Sequence, residues 1–177
     1  MILLCYDRER YHELLSETIK PTDTVLEIGP HLGESTKVIA KRAKEVIAVD
    51  KAEQAEQAFK KKPANVTFVK GDARFFETVD AVLKLKESCD VLAVDMGGGR
   101  FPDTVFKVWA VWSGVFKPRD SILRNRGLGE FMRRAQIRDP VLEKDFLDGG
   151  WLSQSGRKTP RQLKEGLKEL GLWMRQS

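Results

Sequence analysis

Glycine and acidic residues recur where short apolar runs of this sequence end, and chemistry is expected at these positions. The run 25–28 leads into a turn that contains Gly29 and Gly33. Glycine lets a ligand approach the backbone, and the free N–H groups of a helix that follows such a turn face the ligand. Asp50 ends the next run, where a carboxylate can accept hydrogen bonds from ribose hydroxyls, and Asp72 follows the third run. The pattern predicts a cofactor that contains a nucleoside.

The glycine spacing distinguishes between two classes of such cofactor. A nicotinamide dinucleotide is typically bound by G-x-G-x-x-G, whose second glycine lets the backbone approach the pyrophosphate. This turn reads G-x-x-x-G and has His31 where that glycine belongs. A cofactor without phosphate, such as S-adenosylmethionine, is therefore favoured over a dinucleotide.

The elements that must position these residues alternate between apolar β-branched runs and helical patterns. Such alternation is typical of a parallel α/β sheet. We predict one Rossmann-like, open, mostly parallel sheet with helices on both faces. The predicted strands are 24–28, 46–50, 66–69, 91–95 and 121–124, and the predicted helices are 6–19, 34–43, 52–62, 75–86, 102–115 and 129–138.

The whole chain, residues 1–177, is predicted to form a single domain. Residues 1–20 carry an N-terminal helix, and 21–138 form the cofactor-binding core. Residues 139–177 form a weakly patterned arm with a helix at 161–170 and one short strand at 172–174. Trp109 and Trp112 have helical spacing and are expected to pack against the sheet.

The segments 25–33, 46–50, 69–73 and 89–95 resemble the successive motifs of class I S-adenosylmethionine-dependent methyltransferases, and the resemblance covers residues 20–138. That family's sheet usually ends in a strand hairpin, for which this chain offers one weak candidate. The sheet is therefore expected to be truncated or completed by a partner chain. The resemblance implies that Glu27, Gly29 and Gly33 surround the methionine portion, Asp50 holds the ribose, and Asp72 with Ala73 meets the adenine. The implied cofactor-binding set is Glu27, Gly29, Pro30, His31, Gly33, Asp50, Lys51, Asp72, Ala73 and Asp95.

The first motif, from Glu27 through Ser35, is similar to that of the catechol O-methyltransferase-like group. In that group an Asp after the fourth strand and an Asp-Asn pair after the fifth hold magnesium. Asp95 and Asn125 match two of these positions, but Arg124 replaces the second acid. Because a guanidinium repels a cation, no metal is expected.

Asp95 is the candidate catalytic base, and the alternative that it only positions the loop or the cofactor stays open. Residues 95–99 lack the Asn/Asp-Pro-Pro-Tyr/Phe box of nucleic-acid amino-group methyltransferases. His12, on the first predicted helix, is expected at the surface. Substrate contacts are expected from Gly97, Gly98, Arg100, Arg124, Asn125 and Arg126.

The positive charge is typical either of a solvated basic surface or of a protein with an anionic partner, such as an anionic methyl acceptor. The net charge is +5, and six arginines fall within residues 119–138. A small-molecule acceptor is favoured over RNA (tRNA or rRNA), because no aromatic stacking platform accompanies these arginines. A protein acceptor, or a cofactor-binding subunit without its own activity, is a further alternative.

The apolar runs are too short for a membrane span or a signal peptide, and Cys5 and Cys89 lack metal-ligand spacing. We expect a cytoplasmic protein with no membrane partner. The oligomeric state is left open, a homodimer included.

Overall fold

The computed structural model describes residues 1–97, 100–136 and 138. The described part contains six strands and six α-helices, with a short 3₁₀ turn at Phe59–Lys61. The strands are β1 (Ile2–Cys5), β2 (Thr24–Ile28), β3 (Glu45–Asp50), β4 (Val66–Lys70), β5 (Val91–Val94) and β6 (Asp120–Arg124). The helices are α1 (Arg8–Thr18), α2 (Glu34–Ala40), α3 (Glu53–Ala58), α4 (Phe76–Leu83), α5 (Pro102–Phe116) and α6 (Arg126–Arg134).

The strands form one sheet in the order β1-β6-β5-β2-β3-β4, and every neighbouring pair is parallel. From β2 the chain proceeds through β3 to β4 at one edge, then crosses back to place β5 on the other side of β2. Ligands of such sheets bind at the carboxyl ends of the strands where the direction reverses. The predicted Rossmann-like architecture is confirmed, and the expected site lies between β2 and β5.

The first strand, β1, was missed by the sequence analysis, which predicted no strand before the first helix. Its pairing with β6 sets Ile2 beside Ser121 and Cys5 beside Arg124. Leu3 and Leu4 pack against the clusters on the two faces of the sheet. The edge beside β6 is thus occupied by β1. The helix predicted at 161–170 and the strand predicted at 172–174 lie outside the described residues.

Helices cover both faces of the sheet, as predicted. On one face α1 and α2 contribute Leu15 and Ile39 to a buried cluster. On the other, α4 and α5 contribute Val82, Trp112 and Phe116. The Trp112 indole is fully buried, as expected for packing against the sheet.

Capping side chains explain where two helices begin. The Asp7 carboxylate accepts a hydrogen bond from the Arg10 N–H at 2.9 Å, so α1 begins at Arg8 rather than at residue 6. The Asn125 side chain caps α6 in the same way, so this helix begins earlier than the predicted residue 129. In the described part of the chain, no helix is both long and apolar enough to cross a membrane.

Candidate functional site

A cavity of about 580 Å³ opens at the carboxyl ends of β2, β3, β5 and β6. It lies where the strand order reverses, as expected for a ligand site of this sheet. The predicted site residues on its wall are Gly29, Pro30, His31, Asp50, Lys51, Asp72, Ala73, Asp95, Gly97 and Arg124.

The turn after β2 requires glycine at its first position. Gly29 has φ +84°, and a Cβ there would lie 2.2 Å from the carbonyl oxygen of Asp95. The Gly29 N–H donates to the carbonyl of Val49 at 2.9 Å, and the Asp95 N–H donates to Ile28 at 3.0 Å. These contacts bring the ends of β3 and β5 against the turn, so no side chain fits between them.

The Asp50 carboxylate connects the end of β3 to the glycine turn. Its Oδ2 accepts a hydrogen bond from the His31 N–H at 2.9 Å, and its Oδ1 accepts one from the Ala52 N–H at 2.9 Å. A carboxylate has lone pairs for about four hydrogen bonds, so each oxygen keeps capacity for a ligand hydroxyl.

Asp72, after β4, is held by two cations. Arg74 donates to both carboxylate oxygens, through Nε at 3.0 Å and a terminal nitrogen at 2.7 Å, and Lys51 Nζ lies 3.2 Å away. Burial raises the pKa of Asp72, but hydrogen bonds from Arg74 and Lys51 outweigh it and bring the pKa to about 2. Beside it, the Trp112 indole donates to the Ala73 carbonyl at 2.8 Å. This wall of the cavity is therefore charged and rigidly held.

At the other end of the cavity, Asp95 forms an ion pair with Arg124. The Arg124 Nε donates to Asp95 Oδ2 at 2.8 Å, and both side chains are mostly buried. Asp95 Oδ1 is buried and has no hydrogen-bond partner among the described residues. Burial raises the pKa of Asp95, and the Arg124 guanidinium partly opposes this. A buried carboxylate with one free oxygen suits proton transfer.

Two residues of α1 complete this end of the cavity. Arg8 and His12 both line it, and Arg8 also pairs with Glu34 of α2 at 2.8 Å. The expectation that His12 lies at the surface, away from the site, is wrong. The two residues are four positions apart, so they share one helix face, a signal that the sequence did contain.

Comparison with known proteins identifies the family. The chain matches the model of the FtsJ-like methyltransferases over residues 8–113. The chain belongs to this family. Membership in the FtsJ-like methyltransferase family confirms the predicted class, an S-adenosylmethionine-dependent methyltransferase.

Individual relatives match the chain either over a short segment or at low sequence identity. The ribosomal RNA small subunit methyltransferase A of Dehalococcoides mccartyi is 57% identical over 37 residues, which are 21% of this chain and 13% of that protein. A solved rRNA methylase of Streptococcus thermophilus has a TM-score of 0.50 at 16% identity over 72% of this chain and 78% of its own. The N-methyltransferase NodS of Bradyrhizobium japonicum, solved with S-adenosylhomocysteine, has a TM-score of 0.48 at 20% identity over 63% and 56% of the two chains. The rRNA methylase shows the shared fold.

Two predicted cofactor-binding residues of this FtsJ-like methyltransferase do not line the cavity. Glu27 is fully buried beneath the start of α2, where it accepts hydrogen bonds from Ser35 Oγ at 2.5 Å and Thr36 Oγ1 at 2.6 Å. Burial raises its pKa to about 7. Gly33 has φ +79°, and a Cβ there would lie 3.3 Å from the Phe59 ring. Both residues shape the start of α2. Strand alternation turns the Glu27 side chain toward that helix, and Gly33 directly precedes its first residue.

The predicted substrate residues are only partly brought together. Asn125 is fully buried and cannot contact a substrate; it accepts from the Leu128 N–H and donates to the Arg100 carbonyl, both at 2.9 Å. Arg100 and Arg126 do not line the cavity. Gly98 lies outside the described residues.

The residues described by the structure include no group of three or more His, Cys, Asp or Glu side chains placed to hold a metal. Asp95 matched a magnesium-ligand position, and its Oδ2 atom accepts a hydrogen bond from the Arg124 guanidinium.

Proposed function

We propose that this FtsJ-like methyltransferase binds S-adenosylmethionine in the cavity and methylates a small anionic acceptor at the end formed by Asp95 and Arg124. The observation that carries the proposal is the position of the Asp50 carboxylate, which accepts a hydrogen bond from the His31 N–H of the glycine turn at 2.9 Å. This arrangement suits a ribose, with the adenine toward Asp72 and Ala73. Gly29 and Pro30 of the turn would hold the methionine portion, with Asp95 at the methyl end of the site.

The residues of the site fit this ligand. Gly29 lines the cavity without a side chain, and Asp95 Oδ1 is a buried acceptor without a partner among the described residues. Bound S-adenosylmethionine supplies a methyl group already activated by its sulfonium, so the protein must mainly align the acceptor and exclude water.

In the proposed reaction, S-adenosylmethionine would supply its methyl group to an oxygen or nitrogen of the acceptor and leave as S-adenosylhomocysteine. The Asp95 carboxylate takes the acceptor proton. The Arg124 guanidinium holds Asp95 in place and favours its ionised form. The alternative role, in which Asp95 only positions the loop or the cofactor, predicts activity without an acidic limb from this carboxyl group.

A small anionic acceptor is supported by the charges at this end. Arg8 and Arg124 both line the cavity, and a guanidinium suits a carboxylate or phosphate group. RNA is the second candidate, and the 37-residue match to an rRNA methyltransferase favours it. A subunit without its own activity is the third.

We also propose that the catechol O-methyltransferase-like first motif operates here without magnesium. Arg124 stands 2.8 Å from the Asp95 oxygen that a metal would need. Turnover should therefore be unchanged when a chelator is added, as measured by label transfer from methyl-labelled cofactor. Activity that disappears with chelator and returns with magnesium would contradict the proposal.

The proposed function is tested by calorimetry followed by label transfer. S-Adenosylhomocysteine should bind, and a nicotinamide dinucleotide should not. Asp50→Ala should weaken binding by about 1–3 kcal/mol, because the hydroxyls lose a charged partner. Asp80→Ala is the control, since Asp80 pairs with Lys84 on the exposed face of α4. Methyl-labelled cofactor incubated with fractionated cell extract then identifies the acceptor fraction; cofactor binding without label transfer to any fraction favours the inactive subunit.

A further inference from the structure

Two exposed aromatic rings lie beside the acceptor end of the cavity. Tyr6 is 56% exposed, and Phe101 is 62% exposed. Tyr6 precedes the start of α1, two residues before Arg8 on the cavity wall. The Phe101 ring packs over Gly97, also on that wall, with a Cδ2 atom 3.3 Å from the position of a Gly97 Cβ. Both rings therefore border the end at which Asp95 and Arg124 lie.

An arginine side chain covers the Tyr6 ring. The Arg126 guanidinium carbon lies 5.3 Å from the centroid of that ring. Parallel pairing brings the two together, because Cys5 is beside Arg124 in the β1–β6 register. The sequence predicts no aromatic stacking platform beside the arginines of 119–138, and the structure supplies Tyr6 from a distant part of the chain.

Asn125 holds the segments that carry these groups. Its N–H donates to the Cys5 carbonyl, just before Tyr6, and its side chain donates to the Arg100 carbonyl, just before Phe101, both at 2.9 Å. Its side-chain oxygen also caps α6, which begins with Arg126. This buried residue thus fixes both rings and the arginine relative to the cavity.

The backbone at Phe101 is strained. Its φ of +55° is one that residues with a side chain rarely adopt, yet the position holds a large, exposed ring. Strain at an exposed aromatic beside a ligand cavity favours a role in binding over one in packing.

We propose that Tyr6, Arg126 and Phe101 form a stacking surface for a planar ring of the methyl acceptor, a proposal that rests on the proposed function. Aromatic rings and guanidinium planes both stack on planar rings, and the arginine attracts an anionic group on the same molecule. The ring belongs either to a small aromatic acid or to a nucleobase. Stacked at the rim, it presents its nucleophilic atom toward Asp95.

Tyrosine labelling gives a direct test, because the chain has two tyrosines and Tyr11 is fully buried. Protein with ¹³C-labelled tyrosine rings, saturated with S-adenosylhomocysteine, is titrated with 4-hydroxybenzoate, uridine monophosphate and a single-stranded RNA oligonucleotide. The Tyr6 ring signals should shift while those of Tyr11 stay in place. Ribose 5-phosphate, an anion without an aromatic ring, is the control probe.

Variants separate stacking from charge. Tyr6→Ala should weaken ring binding about tenfold, and Tyr6→Phe should restore it. Arg126→Ala should also weaken it. Phe75→Ala is the matched control, since Phe75 is another exposed ring beside an arginine, Arg74 at 5.8 Å, but does not line the cavity.

The outcomes identify the source of the ring. Similar affinity for the aromatic acid and the nucleotide supports a small acceptor, and RNA binding at least tenfold tighter supports a nucleobase. The stacking surface would be overturned if none of the ring-containing probes shifts the Tyr6 signals. It would also be overturned if ribose 5-phosphate shifts them equally. Calorimetry on the same sample separates this result from failure of the proposed function, which would appear as no binding of S-adenosylhomocysteine.

Discussion

At Asp95, two physical effects act in opposite directions on one carboxyl group. Burial raises its pKa, and the neighbouring Arg124 guanidinium lowers it. In the proposed mechanism Asp95 is the base and is active only when ionised, so the balance between these effects would determine the lowest pH at which the enzyme works. The proposal thus links one ion pair to the pH dependence of the reaction.

Removing the guanidinium should therefore shift the pH profile. In Arg124→Ala the pKa of Asp95 should rise, and the acidic limb of kcat/KM should move to higher pH by about one unit or more. Arg134→Ala is the control, because Arg134 forms an exposed pair with Glu130 within α6. An acidic limb that does not move in Arg124→Ala would show that Asp95 is not the base.

Glu27 should make stability depend on pH. Burial raises its pKa from 4.5 to about 7, so between these values the folded protein holds a proton that the unfolded chain has lost. This contribution to the free energy of unfolding is complete below pH 4.5 and is lost as the pH rises through about 7.

The variant Glu27→Gln cannot ionise and should not show this loss. The difference in free energy of unfolding between this variant and the native protein should shift in favour of the variant by about 3 kcal/mol from low pH to about pH 8. Urea unfolding across the pH range measures the difference, and Glu56→Gln, which removes an exposed carboxylate paired with Lys70, is the control. A constant difference would mean that folding does not raise the pKa of Glu27.

At the scale of the elements, the turn between β2 and α2 tolerates almost no change. Two glycines permit a matched comparison, because a Cβ on Gly29 would lie 2.2 Å from a backbone oxygen, whereas one on Gly129 in α6 would contact nothing within 4 Å. Gly29→Ala should destabilise the fold by about 3 kcal/mol or more and abolish cofactor binding. Gly129→Ala should stabilise α6 by up to about 1 kcal/mol. Thermal unfolding and calorimetry check both, and equal effects would contradict the geometry of the turn.

Element positions were largely predictable, because each apolar run and helical pattern is local. Asp50 ends a strand of the parallel sheet, and Asp72 and Asp95 each follow one, so their convergence on one cavity could be inferred from the sequence. The role of Glu27 was not predictable, because it depends on which face of β2 the side chain occupies. The structural role of Asn125 was not predictable, because its partners at Cys5 and Arg100 are distant in sequence. The strand β1 was not predictable either, because its four residues carry too little pattern to be recognised alone.

For the whole molecule, the net charge of +5 allows two kinds of acceptor that differ in their response to salt. RNA held through six or more phosphates should lose affinity by about a thousandfold between roughly 50 and 200 mM salt. A small anion that contacts Arg124 and one neighbour should lose much less. Filter binding of RNA and calorimetry of the small acceptor distinguish them, and a steep loss together with weaker binding in Arg126→Ala would favour RNA over the small acceptor.

The position of β1 also has a consequence for biosynthesis. A ribosome makes the chain in the direction from β1 to β6, so Ile2–Cys5 emerges long before its partner β6, which is completed only at Arg124. Throughout that interval β1 has no strand beside which to pair. The rim of the acceptor end, which needs both Tyr6 and Arg126, therefore assembles only after the cofactor half of the sheet has been synthesised. During translation, the nucleoside pocket can form before the surface that selects what is to be methylated.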